Sequence, residues 1–200
     1  MSTTKQRRTH AEMSDATRAA LLSHAREAFA TAGYVKTSLD DIVTAVGATK
    51  GALYHHFDGK LALFEAVVRD IYAELDAASP LGVELGGDPW HNLIETCRGY
   101  LRGLLDAGTR RILLVEAPAV LGAERERALD HELTVRPLVE WFTALHDRGV
   151  IASGDPEALA RLVNGALTAI ALWMGESKHP ERELERGVRA LAELLRPPPP

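Results

Sequence analysis

Between positions 49 and 55 the chain carries Thr49, Lys50, Gly51, Tyr54 and His55, a set of groups suited to holding nucleic acid. Hydroxyl, ammonium and imidazole groups bond to phosphate oxygens or base edges, and a glycine lets the backbone approach closely. Leu53 and Phe57, four residues apart, share one helical face; once they are buried, the five polar or small residues are left outside. The other residues with chemical potential combine less well. His55 and His56 are adjacent and point about 100° apart on a helix, so they do not chelate one ion readily; one facing outward and one supporting is the better reading. The run His131-Glu132-Leu133-Thr134-Val135 opens like a zinc-protease helix, but Val135 stands where the second histidine ligand belongs. Cys97 has no histidine near it in sequence, and there is neither a G-x-S-x-G elbow nor a glycine-rich nucleotide loop. No catalytic residue, metal site or cofactor is therefore assigned, and the protein is read as no enzyme.

The elements that must position residues 49–55 are helical. No segment sustains the period-two alternation of a strand, whereas the helical period recurs from end to end, so the chain reads as all-α. Leu21, Ala25, Ala28, Phe29 and Ala32 form one apolar stripe, closed by Gly33. Ser38 to Asp41 matches a capping box that starts a short helix with Leu39, Ile42, Val43 and Val46 on one face. Val46-Gly47-Ala48 makes a tight turn, Thr49 caps a third helix through Phe57, and Gly59 opens a longer one bearing Leu61, Phe64, Val67, Val68, Ile71 and Leu75. Two short helices joined by a tight turn are the geometry of a helix-turn-helix, whose second helix lies in the DNA major groove.

Bulk composition fits this reading. The 200 residues are 46% hydrophobic and 26% charged, as in a soluble globular protein of one or two domains. The net charge of −5 hides an asymmetry: residues 1–60 hold eight Lys and Arg against six Asp and Glu, and residues 61–200 hold fifteen against twenty-two. Contact with DNA thus belongs to the N-terminal third. No apolar run approaches the roughly eighteen residues that span a bilayer, and the basic N-terminus is followed by no apolar stretch. With a single cysteine, the expectation is a cytoplasmic protein without membrane contact.

The run Thr37 to Val67, TSLDDIVTAVGATKGALYHHFDGKLALFEAV, resembles the DNA-binding domain of the TetR family, with GATKGALYHHFDGK its most specific part. The resemblance covers residues 14–70 and extends to the rest only through length and all-helical layout. It implies a homodimeric two-domain repressor that binds double-stranded operator DNA and leaves it when a small molecule enters the C-terminal core. Carried over by position, Thr37 and Lys60 become phosphate contacts flanking the motif, and Thr49, Lys50, Gly51, Tyr54 and His55 the groove-facing set. Arg7 and Arg8 precede the first helix and could lie over the backbone or in a minor groove. The expected organisation is a flexible basic arm over 1–13, a three-helix DNA-binding domain over 14–60, a helical ligand-binding and dimerisation domain over 61–196, and a disordered tail over 197–200. An activator or ligand-independent regulator is the alternative within the class; a protein-binding helical scaffold or a small-molecule enzyme are those outside it.

After the Gly- and Pro-rich loop 79–89, helices are expected near 89–107, 109–116, 119–130, 133–149, 155–176 and 180–196, with Asp88-Pro89, Asp155-Pro156 and Pro180 as start signals and a bend at Pro118. Trp90, Tyr100, Trp141, Phe142 and Trp173 are bulky residues spread over three of these helices that either fill the core or line a pocket; Cys97, Glu116 and Asn164 complete the expected pocket set. Leu162, Ala166, Ala169 and Ile170, then Leu184, Val188 and Leu191, form stripes on the last two helices. The resemblance makes these a four-helix dimer interface, and packing within one chain is the alternative.

Overall fold

The computed structural model describes residues 10–81, 88–151 and 154–195, and among these there are helices and no strands. The chain divides into two compact units between Val67 and Val68, inside a helix.

The N-terminal unit is built on α1 (His10–Ala32), α2 (Leu39–Ala45), α3 (Lys50–His56) and the first part of α4 (Lys60–Ala78). Residues 10–13, expected in the flexible arm, already belong to α1, where Glu12 in the first turn suits the helix dipole. The stripe of α1 is narrower than the sequence suggests: Leu21, Leu22, Ala25 and Phe29 are buried, Ala28 is half-buried and Ala32 is exposed. Phe29 and Phe64 meet edge to face at 5.1 Å and Tyr34 closes the cluster, 5.9 Å from Phe29 and 5.3 Å from Phe64. Ile42, Val43, Leu53, Phe57, Leu63 and Val67 complete this core. It anchors the two short helices α2 and α3, which would not be stable alone, since isolated helices below about 12 residues are marginal in water.

The C-terminal unit takes the rest of α4, then α5 (Pro89–Gly103), α6 (Ala107–Arg110), α7 (Ala117–Leu121), α8 (Ala123–Asp130), α9 (Arg136–Asp147), α10 (Pro156–Glu176) and α11 (Pro180–Leu195). Asp88 and Asp155 accept the amides of Trp90 and Ala158, so both Asp-Pro signals start helices as expected. The interruption expected between 116 and 119, and the one between 130 and 133, are not loops. Wider π turns, Arg111–Glu116 and His131–Val135, carry the chain through, with Ala117 N–H bonding Ile112 O and Arg136 N–H bonding His131 O. Pro118 and Pro137 each follow such a turn as the second residue of the resumed α-helix. Proline has no N–H to complete an α-helical bond and crowds the preceding turn, and a local π register accommodates it without breaking the helix. The real break is at Gly122, with φ +79°.

By length and composition α10 is apolar enough to cross a membrane, against the expectation that nothing in the chain would be. Its buried residues Ala160, Val163, Leu167, Ala171 and Met174 lie on one side, as on the core helix of a folded domain.

Candidate nucleic-acid interface and ligand cavity

Local hydrogen bonds build the helix-turn-helix. The Ser38 hydroxyl accepts the Asp40 amide at 3.1 Å, starting α2; it is this amide, not that of Asp41, that the cap satisfies. At the other end Gly47 takes φ +65°, the Ala48 N–H bonds Val43 O at 3.0 Å and the Gly47 N–H bonds Thr44 O at 3.1 Å. This paired closure needs a left-handed residue, which glycine adopts without a steric cost. Thr49 then caps α3 by accepting the Ala52 amide at 3.1 Å. A hydroxyl accepting in this way keeps its own proton for an outside acceptor such as a phosphate.

Leu53 and Phe57 are buried, and Thr49, Lys50, Gly51, Tyr54 and His55 are all exposed, Tyr54 by 57%. One short helix therefore presents the whole expected set. His56 is half-buried between His55 and Phe57. Lys50 is held: its Nζ lies 2.8 Å from Asp40 Oδ1, an exposed ion pair joining the start of α2 to the start of α3. The hydrogen bond and the charge of Asp40 raise the Lys50 pKa, so it carries a full positive charge.

The two residues flanking the motif do different work. Thr37 is 6% exposed and donates its hydroxyl to Gly33 O at 2.8 Å, which corrects its assignment as a side-chain phosphate contact: the group closes the turn after α1. Lys60 sits with Nζ 4.5 Å from the centre of the Tyr34 ring and 3.2 Å from Val35 O, fastening the same turn to the start of α4. Asp40, the partner of Lys50, was not foreseen, since ten residues and a turn separate the pair. Arg7 and Arg8 lie outside the described residues.

Within the C-terminal unit a cavity of about 570 Å³, counted to its open mouth, brings together Cys97, Tyr100 and Asn164 of the expected pocket set. The others lie elsewhere. Trp141 and Phe142 are core residues in edge-to-face contact at 5.2 Å. Glu116 pairs with Arg111 at 3.0 Å, Trp90 sits in the first turn of α5 away from the cavity, and Trp173 lies on the outside beneath the Arg186 guanidinium at 4.7 Å. Sequence reading missed Tyr72, Leu75 and Asp76 of α4 and Ser79 just after it, which also line the cavity. Their 3, 4, 7 spacing marks one helical face, but the apolar members drew attention to themselves as core.

The expected dimer stripes split. Leu184, Val188 and Leu191 are buried in their own chain, which takes these three out of an outer interface, and Ile170 is half-buried against Gly187 of α11. Leu162 is 69% exposed, and Ala166, Ala169, Leu172 and Trp173 continue an exposed or half-exposed face along α10.

Residues 21–67 match the family model for bacterial regulatory proteins of the tetR family, and residues 90–198 match the model for the tetracyclin repressor-like C-terminal domain, which alone covers more than half of the chain. The chain belongs to the TetR family. The crystal structure of a TetR-family transcriptional regulator from Pectobacterium atrosepticum is 39% identical, covers 94% of this chain and 96% of its own, and superposes with a TM-score of 0.73. A TetR-family regulator from Mesorhizobium loti is 26% identical over 94% of this chain and 96% of its own, with a TM-score of 0.72. The transcriptional regulator TtgR of Pseudomonas putida is 37% identical over 108 residues, 53% of this chain and 51% of that protein, so the chain spans about half of TtgR's length. This TetR-family member is thus a helix-turn-helix transcriptional regulator, with α3 in the position of the recognition helix.

Proposed function

We propose that the protein is a cytoplasmic homodimeric repressor that holds a near-palindromic operator through α3 of each subunit and is released when a small molecule occupies the cavity lined by Tyr72, Cys97, Tyr100 and Asn164. The observation that carries the DNA-reading part is the exposed row Thr49, Lys50, Gly51, Tyr54 and His55 backed by buried Leu53 and Phe57. The exposed apolar face of α10, Leu162 to Trp173, supports the dimer, since contiguous apolar surface of this kind marks association sites. Two recognition helices about 34 to 36 Å apart then meet successive major grooves. α4 supports ligand release: it places Leu63, Phe64 and Val67 in the core beneath the DNA-reading helices and Tyr72, Leu75 and Asp76 in the cavity wall. A ligand that favours the DNA-incompetent state by several kcal/mol empties the operator.

The test is binding of the full-length protein to DNA from upstream of its own gene, with excess nonspecific competitor at physiological salt, followed by a screen for compounds that reverse it. A competitor-resistant shift abolished by a compound that binds the protein is the expected result. A shift unaffected by every compound shown to bind the cavity would contradict the switch.

A further inference from the structure

The cavity walls are rich in hydrogen-bond acceptors and hold no cationic side chain among the described lining residues. Thr134 gives its hydroxyl proton to Asp130, with Oγ1 2.7 Å from Oδ1, and Asn164 gives its amide protons to the same carboxylate at 3.0 and 3.2 Å. What these two residues still offer is acceptor capacity: the Asn164 carbonyl oxygen and the Thr134 lone pairs. The Thr96 hydroxyl is likewise directed at Pro80 O, at 3.5 Å. At the mouth Asp76 is exposed, and its carboxylate makes no hydrogen bond or ion pair with a described residue. Tyr72 and Tyr100 face the cavity, and neither hydroxyl bonds to a described residue. Among the described lining residues there is no Lys, Arg or His.

The charges that act on the two tyrosines are negative. Tyr100 is pushed up first by burial and then by Asp130; Tyr72 is pushed well up by burial, then by Tyr100, Asp130 and Glu126. Glu126 is itself raised by burial and by Asp130, against a smaller opposing effect of Arg127. A ligand in this cavity meets oxygen acceptors, two phenols and the Asp76 carboxylate alongside the apolar side chains of Leu75, Leu138 and Leu167.

We propose that the cavity takes a small apolar amine, bound as its ammonium ion, whose N–H donors are met by the Asp76 carboxylate, the Asn164 carbonyl oxygen and the tyrosine hydroxyl oxygens. The assignment rests on the cavity being the ligand site, as argued above, and it ranks organic acids last: a carboxylate of the same shape would find only the hydroxyl protons of the wall, no cation, and the repulsion of Asp76. An alcohol offers the Asp76 carboxylate one neutral O–H, whereas an ammonium brings a full positive charge and further N–H donors for the neutral oxygens; one such added charge-assisted bond corresponds to about a ten-fold preference for the ammonium.

Calorimetric titration of the full-length protein with 4-phenylbutylamine, 4-phenylbutan-1-ol and 4-phenylbutyrate tests this with one carbon frame and three head groups. The amine should bind about ten-fold more tightly than the alcohol, with the acid weakest. Asp76→Asn, at an exposed position, should keep its melting temperature and lose the amine's advantage while binding the alcohol as before. Equal or tighter binding of the acid, an amine advantage that survives Asp76→Asn, or no amine binding at millimolar concentration would overturn the assignment. Release from operator DNA is read separately: amine binding that depends on Asp76 but leaves DNA bound upholds the ligand class and contradicts the ligand-released repressor.

Discussion

Lys50 and Asp40 compete for one another before any DNA arrives, and that contest sets the electrostatics of the recognition helix. The pair is exposed on both sides, so it adds little stability, but it holds an otherwise mobile ammonium at the start of α3. A phosphate must displace or share it. Lys50→Ala should weaken binding across all DNA sequences and lower the slope of log affinity against log salt by about one, read by fluorescence anisotropy over a salt series. Asp40→Asn should act oppositely, strengthening binding to nonspecific DNA several-fold on the order expected for removing one repulsive charge. Cys97 gives a second residue-scale prediction. Burial pushes its thiol up to about 12, so hardly any thiolate exists at neutral pH. Iodoacetamide should modify it slowly in the folded protein and rapidly in urea, followed by intact mass; fast labelling of the native protein would mean that the cavity wall opens.

At the scale of elements, the turn between α2 and α3 rests on one backbone conformation. Gly47 at φ +65° has open space around its missing side chain, so a substitution there is opposed by backbone strain alone. Gly47→Ala should cost about 1 to 2 kcal/mol and lower the thermal midpoint, with DNA binding reduced in step because the same turn aims α3. The turn was legible in the sequence because its logic is local: a glycine after an apolar stripe, then Thr49 as a cap. Capping and periodicity likewise mark α5 and α10 through Asp88-Pro89 and Asp155-Pro156. They fail at Pro118 and between 130 and 133, where the sequence reads as a break and the chain instead runs on through π turns. That outcome depends on the helix being held by its neighbours on both sides of the proline, which no local pattern records. The cavity was half legible for the same reason. Cys97, Tyr100 and Asn164 were found as unusual residues on apolar faces, whereas Trp141 and Phe142 turned inward to fill the core and Tyr72 with Asp76 came from a helix assigned to packing.

For the whole molecule, the proposed dimer needs a face for a second copy, and the face left for it differs from the one periodicity suggests. The largest stripes on α11, Leu184, Val188 and Leu191, are satisfied within the chain; a stripe can be read from sequence, but which partner covers it cannot. What remains is the α10 face with Leu162, Ala169, Leu172 and Trp173. Leu162→Glu with Leu172→Glu should convert the dimer to a folded monomer, seen by analytical ultracentrifugation and an unchanged helical circular dichroism spectrum. Operator affinity should then fall by orders of magnitude, because two linked half-site contacts become one. The most direct test of the account replaces the exposed row on α3 while leaving its buried backing intact. Lys50→Ala, Tyr54→Ala and His55→Ala combined should retain the wild-type melting temperature and lose sequence-specific binding to the operator by at least about a hundred-fold, each lost base or phosphate contact being worth about 1 to 3 kcal/mol. Wild-type operator affinity in that variant, with its fold intact, would show that α3 is not the element that reads DNA.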